Sequence, residues 1–173
     1  LLPPSPEPLP VTISSGPDDT TGSLYFNYLF PIGVDAILES VELIKEGKAP
    51  KFPQPEEGAT YEPPCSDHVA AIDWKKAGQD IYNLVRGCDP QPGAYSFWQG
   101  EKIRFYDARL LGEPTTETPG TVVQADPDGV QVAVEGGKLT VGKVRSESGG
   151  KVEASAFVSE KGLKVGDQFG EAR

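Results

Sequence analysis

Ala94-Tyr95-Ser96-Phe97-Trp98 and Lys102-Ile103-Arg104-Phe105-Tyr106-Asp107-Ala108-Arg109-Leu110, parted by a break at Gln99-Gly100, carry the alternation that decides the fold. Side chains two apart share one face of a strand, and a short Gly-containing break between two such runs is a hairpin turn. The same period recurs over 120–125, 130–135 and 138–145. Glu113-Pro114, Asp126-Pro127-Asp128-Gly129 and Gly136-Gly137 separate these runs and supply the fixed φ, the short polar side chain or the free backbone that turns require. Five short strands with Gly-rich corners, closing on a final segment, predict a small Greek-key barrel of the OB type.

Immediately upstream, residues 77–86 place Ile81, Leu84 and Val85 on one helical face, with Gly87 as the stop and Trp74 as the expected anchor. Residues 49–67 hold five prolines and no period, so they read as a linker strap and domain boundary. Before the strap, Asp18-Asp19-Thr20-Thr21 starts a helix with polar caps and acidic charge at its positive end. Leu24, Tyr28, Leu29, Ile32, Ala36, Ile37, Val41 and Ile44 form its apolar stripe, expected to pack in a core. Pro31 and Gly33 predict a kink or a restart, and Gly47, between Lys45 and Lys48, predicts the stop. Five prolines in the first ten residues make 1–17 an extended lead-in, with a short strand at 11–13. The fold class is α+β: a helical piece over 1–48, a strap over 49–67, and an OB-like barrel with a helix over 68–173.

The 173 residues carry a net charge of −10. Region 1–64 has 3 basic and 10 acidic side chains, 65–112 has 6 of each, and 113–173 has 7 and 10. No stretch is basic, which argues against binding a phosphate backbone. Apolar runs are too short to cross a membrane and no secretory leader is visible, so a cytoplasmic location is expected. Two cysteines, Cys65 and Cys88, make neither a disulfide framework nor a four-cysteine zinc site. Methionine is absent, position 1 included, so we expect a piece of a longer polypeptide.

Familiar catalytic signatures are missing: no G-x-S-x-G elbow, no phosphate-binding G-x-x-x-x-G-K-[ST] loop, no H-E-x-x-H helix. His68, the single histidine, stands three residues from Cys65 and next to Asp67, a spacing that admits a nucleophile with its base. An exposed, inert His68 is the expectation, with Cys88 a small buried side chain. Asp73 and Asp89 flank the second helix as caps, and Glu56-Glu57 is a solvated pair. Arg104, Phe105, Tyr106 and Arg109 are the local candidates for a nucleic-acid platform. Alternation puts Arg104 and Tyr106 on one face and Phe105 and Arg109 on the other, which splits it.

Gly-Pro-Asp-Asp-Thr-Thr-Gly-Ser-Leu-Tyr at 16–25, Leu-Phe-Pro-Ile-Gly at 29–33 and Pro-Gln-Pro-Glu-Glu-Gly-Ala-Thr-Tyr-Glu at 53–62 have counterparts in a known family. So do Ile-Asp-Trp at 72–74, Ile-Tyr-Asn-Leu-Val-Arg-Gly at 81–87, Pro-Gln-Pro-Gly-Ala at 90–94 and Leu-Lys-Val-Gly-Asp-Gln-Phe at 163–169. In this order they resemble the C-terminal part of the folate-dependent formyltransferases. That family includes methionyl-tRNA formyltransferase and the hydrolase domain of 10-formyltetrahydrofolate dehydrogenase. The resemblance implies that 1–48 is the tail of a Rossmann-like catalytic domain and that a C-terminal barrel follows the strap.

In that family the chemistry belongs to an Asn-x-His motif and an Asp-Thr-Gly loop of the N-terminal domain. Neither is present, Asp19-Thr20-Thr21-Gly22 is a superficial echo of the loop, and Leu1-Leu2-Pro3 echoes a stretch after the catalytic His. No catalytic, cofactor-binding or metal residue is therefore assigned in this chain. The implied co-substrate is 10-formyltetrahydrofolate, held by the N-terminal formyltransferase domain without a metal. The acidic balance favours a small-molecule acceptor or water over tRNA. A noncatalytic binding or scaffolding barrel is the alternative.

Overall fold

The computed structural model describes residues 12–51, 53 and 56–170, which divide into two units between Pro64 and Cys65. In the first unit Thr20 caps helix α1 (Thr21–Leu24). Its Oγ1 accepts the Ser23 N–H at 3.0 Å, and Ser23 Oγ accepts the Thr20 N–H at 3.0 Å. Asp19 steadies this start by accepting from the Ser23 hydroxyl at 2.8 Å and the Gly16 N–H at 2.7 Å. A π-helical turn, Tyr25–Leu29, follows and runs directly into α2, Phe30–Lys45.

The expected restart is present: α2 begins at Phe30 and takes Pro31 into its first turn. One wider turn, in which the Phe30 N–H reaches Tyr25 O, precedes the proline, and the first turn of a helix tolerates a residue without an N–H. Gly47, at φ +67, ends the helix as expected. The expected burial of the stripe is corrected. Among the described residues no side chain of α1, the π turn or α2 is buried, and Ile37 and Ile44 are each 66% exposed. A helical period says which face can be covered; it does not supply the cover. The expected strand over 11–13 finds no support at Thr12 and Ile13, while Val11 and the lead-in before it lie outside the described residues.

The second unit is an antiparallel sheet in the order β1-β2-β5-β4-β3, with β6 added to β5. Its strands are β1 (Ala94–Trp98), β2 (Glu101–Leu111), β3 (Val122–Asp126), β4 (Gly129–Val134), β5 (Gly137–Ser146) and β6 (Lys151–Glu153). The five expected strands are present with ends displaced by a residue or two. Helix α3, Gly78–Gly87, lays Ile81, Tyr82 and Val85 into the core. Strand β6 and the helix α4 (Ala154–Lys161) were not expected; α4 buries only Ala154 and Phe157, too few residues to trace a stripe.

The sheet is closed by 163–170. Gly170 bridges Phe97 of β1 while Gln168 bridges Thr121 beside β3, so one segment joins the two outer strands. The Val122 N–H donates to Asp167 O at 2.8 Å and the Phe169 N–H to Gly120 O at 2.9 Å. Inside, Phe169 packs edge-on against Phe105, with ring centroids 5.0 Å apart, and stacks with Trp74 at 6.2 Å. The Trp74 indole N–H donates to Ser96 Oγ at 2.9 Å, so Trp74 anchors the entry to α3 as expected.

Strand β2 departs from strict alternation at Asp107, which has φ +49. Phe105 and Tyr106 are both buried, Ala108 returns to the core, and Arg109 is exposed. The left-handed residue resets the facing, so Arg109 points away from the core instead of sharing the inner face of Phe105. Opposite it, Gly142 leaves room that a Cβ would fill, 2.7 Å from Asp107 Oδ2. Tyr106 lies under the loop 88–93, which has cis peptide bonds at Asp89-Pro90 and Gln91-Pro92, and its hydroxyl donates to Pro92 O at 3.4 Å.

A Cβ on Gly93 would meet the Tyr106 hydroxyl oxygen at 2.4 Å, at φ +86. We expect Gly93→Ala to destabilise the barrel by on the order of 3 kcal/mol, from overpacking plus a strained backbone. Gly87→Ala, which meets nothing within 4 Å, is expected to be neutral or stabilising by up to about 1 kcal/mol. Urea unfolding of the two variants beside the wild type measures both.

Candidate functional site

Register places one residue from each of four strands in a row across the sheet: Tyr95, Arg104, Arg145 and Lys151. Lys102, two residues before Arg104, faces Phe97 on β1, and Lys143 lies opposite Tyr106. All of these cations but Lys143 rest on aromatic faces. Lys102 Nζ is 4.6 Å and Arg104 Cζ 5.5 Å from the Tyr95 ring centre. Lys151 Nζ is 3.6 Å and Arg145 Cζ 5.9 Å from that of Tyr106. Such contacts hold a charged head flat against a ring while leaving its other side to a ligand.

Three carboxylates are set among these five cations. Asp67 accepts from Arg104 at 2.8 Å and from Lys102 at 3.0 Å. Asp89 stands 3.8 Å from Lys151, and Glu153 stands 3.5 Å from Lys143. Arg104 also donates to Gly93 O at 3.0 Å, which fixes its fork. The hydrogen bonds from Arg104 and Lys102 hold the Asp67 carboxyl down at about 2, and Asp67 in turn pushes the Arg104 guanidinium up. Burial pushes the Tyr106 phenol up. The result is a ledge with a small positive surplus and aromatic support, fitted to bind the edge of an anion and carrying no nucleophile of its own.

This ledge was missed in the linear charge count because its cations come from three strands dispersed over fifty residues of an acidic chain. Of the other candidates, His68 and Cys65 are paired with different residues and not with each other. His68 is exposed, as expected, and its Nδ1 pairs with the Ser66 hydroxyl. Cys65 lies against Cys88, which is buried as expected. Glu56 and Glu57 are both exposed.

Two expectations are corrected. Helix α3 has Ala77 at its N-cap, and the Asp73 carboxylate caps the preceding turn, accepting the Lys75 N–H at 3.0 Å. Asp89 reaches across to β2 and accepts the Asp107 N–H at 2.8 Å. The helix has already ended at Gly87, so Asp89 is free to satisfy the donor exposed by the left-handed residue. Among the described residues no group of three or more His, Cys, Asp or Glu side chains could hold a metal ion, and no helix is long and apolar enough to cross a membrane. A mainly apolar groove of about 690 Å³ runs beside Trp74, Pro119 and Phe169, over the closing segment.

The second unit is thus an antiparallel barrel-like domain entered through Ile72-Asp73-Trp74 and α3. Residues 65–162 match the family described as formyl transferase, C-terminal domain, and the chain belongs to that family. It is 39% identical over 154 residues to human mitochondrial 10-formyltetrahydrofolate dehydrogenase, covering 83% of this chain and 16% of the relative. It is 33% identical over 163 residues to the methionyl-tRNA formyltransferase of Symbiobacterium thermophilum, covering 93% of this chain and 50% of that enzyme. The chain thus spans half or less of the length of these relatives. A crystal structure of HypX from Aquifex aeolicus in complex with tetrahydrofolic acid shares the fold, with a TM-score of 0.71 at 22% identity, over 87% of this chain and 27% of that one.

Asp67 holds two of the ledge's cations, Lys102 and Arg104, and its titration reports on them. Its folded carboxyl titrates near 2 against an ordinary 3.8, so its stabilisation is complete above 3.8 and is lost as pH falls toward 2. Asp67→Asn is expected to cost on the order of 1 kcal/mol at pH 7, because the carboxylate is partly exposed and solvent screens the pair. Chemical unfolding across the acid range should show the two proteins converging as pH approaches 2.

Proposed function

We propose that this chain is the C-terminal portion of an enzyme that uses 10-formyltetrahydrofolate as co-substrate and transfers the formyl group to a small amine or to water. Membership in the formyl transferase C-terminal domain family carries the reading. Relatives named 10-formyltetrahydrofolate dehydrogenase and methionyl-tRNA formyltransferase support the folate. On this reading 1–48 is the tail of the Rossmann-like N-terminal domain, 49–67 is the strap, and 68–173 is an OB-type barrel. The exposed stripe of Ile37, Val41 and Ile44 is the surface against which that domain packs. Its Asn would stabilise the oxyanion of the tetrahedral intermediate while its His and Asp move protons, with no metal required. The protein would work in the cytoplasm.

The barrel's part is positional, and its charge bears on the acceptor. Asp67, Asp89 and Glu153 neutralise much of the ledge, on a chain of net charge −10. That balance supports a small acceptor. A second reading, tRNA as acceptor, draws on the row Tyr95–Arg104–Arg145–Lys151 and on the methionyl-tRNA formyltransferase relatives.

Two measurements test these readings. Deformylation of 10-formyltetrahydrofolate is expected when the chain is joined to the formyltransferase domain of a relative, and not with the chain alone. A joined protein that leaves the folate untouched would favour a scaffolding barrel. In gel shifts with bulk tRNA at increasing salt, no retained band is expected at 0.1 M salt, roughly physiological strength. Tight binding that collapses with salt would transfer the assignment to tRNA.

A further inference from the structure

We propose that Cys65 and Cys88 form a redox-active dithiol pair, in which Cys65 exchanges with low-molecular-weight disulfides and Cys88 resolves the adduct into an internal disulfide. The two sulfurs stand 3.7 Å apart although 23 positions separate them in sequence. Cys65 is exposed and begins the barrel unit, in irregular backbone just ahead of the turn in which the Val69 N–H donates to Ser66 O. Cys88 is 2% exposed and firmly held. Its N–H donates to Leu84 O at 3.0 Å, and its own carbonyl accepts from the Gly93 N–H at 2.9 Å.

This division of exposure sets the order of events. A bulky disulfide reaches Cys65 and is kept from Cys88. Burial, reinforced by the neighbouring Cys65 sulfur, pushes the Cys88 thiol up to about 12, which keeps it from attacking first. The Cys65 thiolate attacks one sulfur of a disulfide RSSR, forming a mixed disulfide and releasing one thiolate RS⁻, which takes up a proton. The Cys88 sulfur, on losing its proton, then attacks the Cys65 sulfur and expels the second RS⁻. In sum, two protein thiols are oxidised to one disulfide while RSSR is reduced to two RSH. The present 3.7 Å must shorten to a bonding distance of about 2.05 Å, and Cys65 is the exposed partner of the two.

The bond would staple the first residue of the barrel unit to the end of α3, two positions before Asp67. It would close a loop that holds Ile72, Trp74 and all of α3, which restricts the unfolded chain.

The test equilibrates the purified chain in glutathione buffers of rising oxidised fraction, quenches with acid and maps peptides by mass without reduction. A glutathionyl adduct on Cys65 is expected first. It should give way, within monomers, to a peptide pair joined through Cys65 and Cys88, with a thermal midpoint raised by several degrees and restored by dithiothreitol. Cys65→Ser, a substitution at an exposed position, should show neither adduct nor link and should keep the reduced midpoint. Cys88→Ser should hold the Cys65 adduct unresolved; if that variant fails to fold, the wild type and Cys65→Ser decide alone. A wild-type adduct that never resolves, a link joining two chains, or rapid glutathionylation of Cys88 in folded Cys65→Ser would each overturn the proposal.

Discussion

The backbone of 166–170 hydrogen-bonds to both outer strands of the sheet, and the order of the second unit depends on that double engagement. Phe97 and Gly170 exchange hydrogen bonds at 3.0 Å each way, while on the other side Val122 donates to Asp167 and accepts from Gly166. Without this segment β1 and β3 would each present unpaired N–H and C=O groups. Side chains secure what the backbone starts. Gln168 accepts from the Thr121 hydroxyl and donates to Pro119 O, and Asp167 accepts from the Trp98 indole N–H. Phe169 then fills the space between Trp74 and Phe105, so closure of the sheet and completion of the core are one event.

The candidate ledge is a product of that closed sheet. Four of its five cations rest on rings, and the carboxylates among them hold charged heads in fixed places. Fixed charge near a small surplus suits orienting a ligand or a neighbouring domain more than generating affinity. The arrangement belongs to a chain of the formyl transferase C-terminal domain family.

Most of the barrel was legible in the residue pattern, because strands β1 to β5 alternate and their turns carry Gly, Pro or Asp where the backbone demands them. Helix α3 was legible from Ile81, Leu84 and Val85. Four features were hidden for distinct reasons. Strand β6 is too short to show a period, and α4 buries too little to trace one. Asp107 interrupts alternation within an unbroken run, and nothing in the run marks it; Gly142, the residue that permits it, lies 35 positions later. The ledge is a property of register, since Arg104, Arg145 and Lys151 become neighbours only when β2, β5 and β6 pair. The helix over 21–45 was read correctly as a helix and incorrectly as buried, because amphipathicity records a demand for cover and carries no account of what meets it.

The location of the closing segment has a temporal consequence during synthesis. A ribosome makes β1 about seventy residues before it makes Gly170, the partner of Phe97. Until then Phe97 on β1 and Val122 on β3 lack their partners in 166–170, while Tyr95 is already paired with 70–72. Only when 163–170 emerges from the exit tunnel does the sheet become a cylinder. The species with an open sheet is thus one that has its strands in hand and lacks only the closing segment, and any delay in docking that segment prolongs exposure to wayward strand pairing.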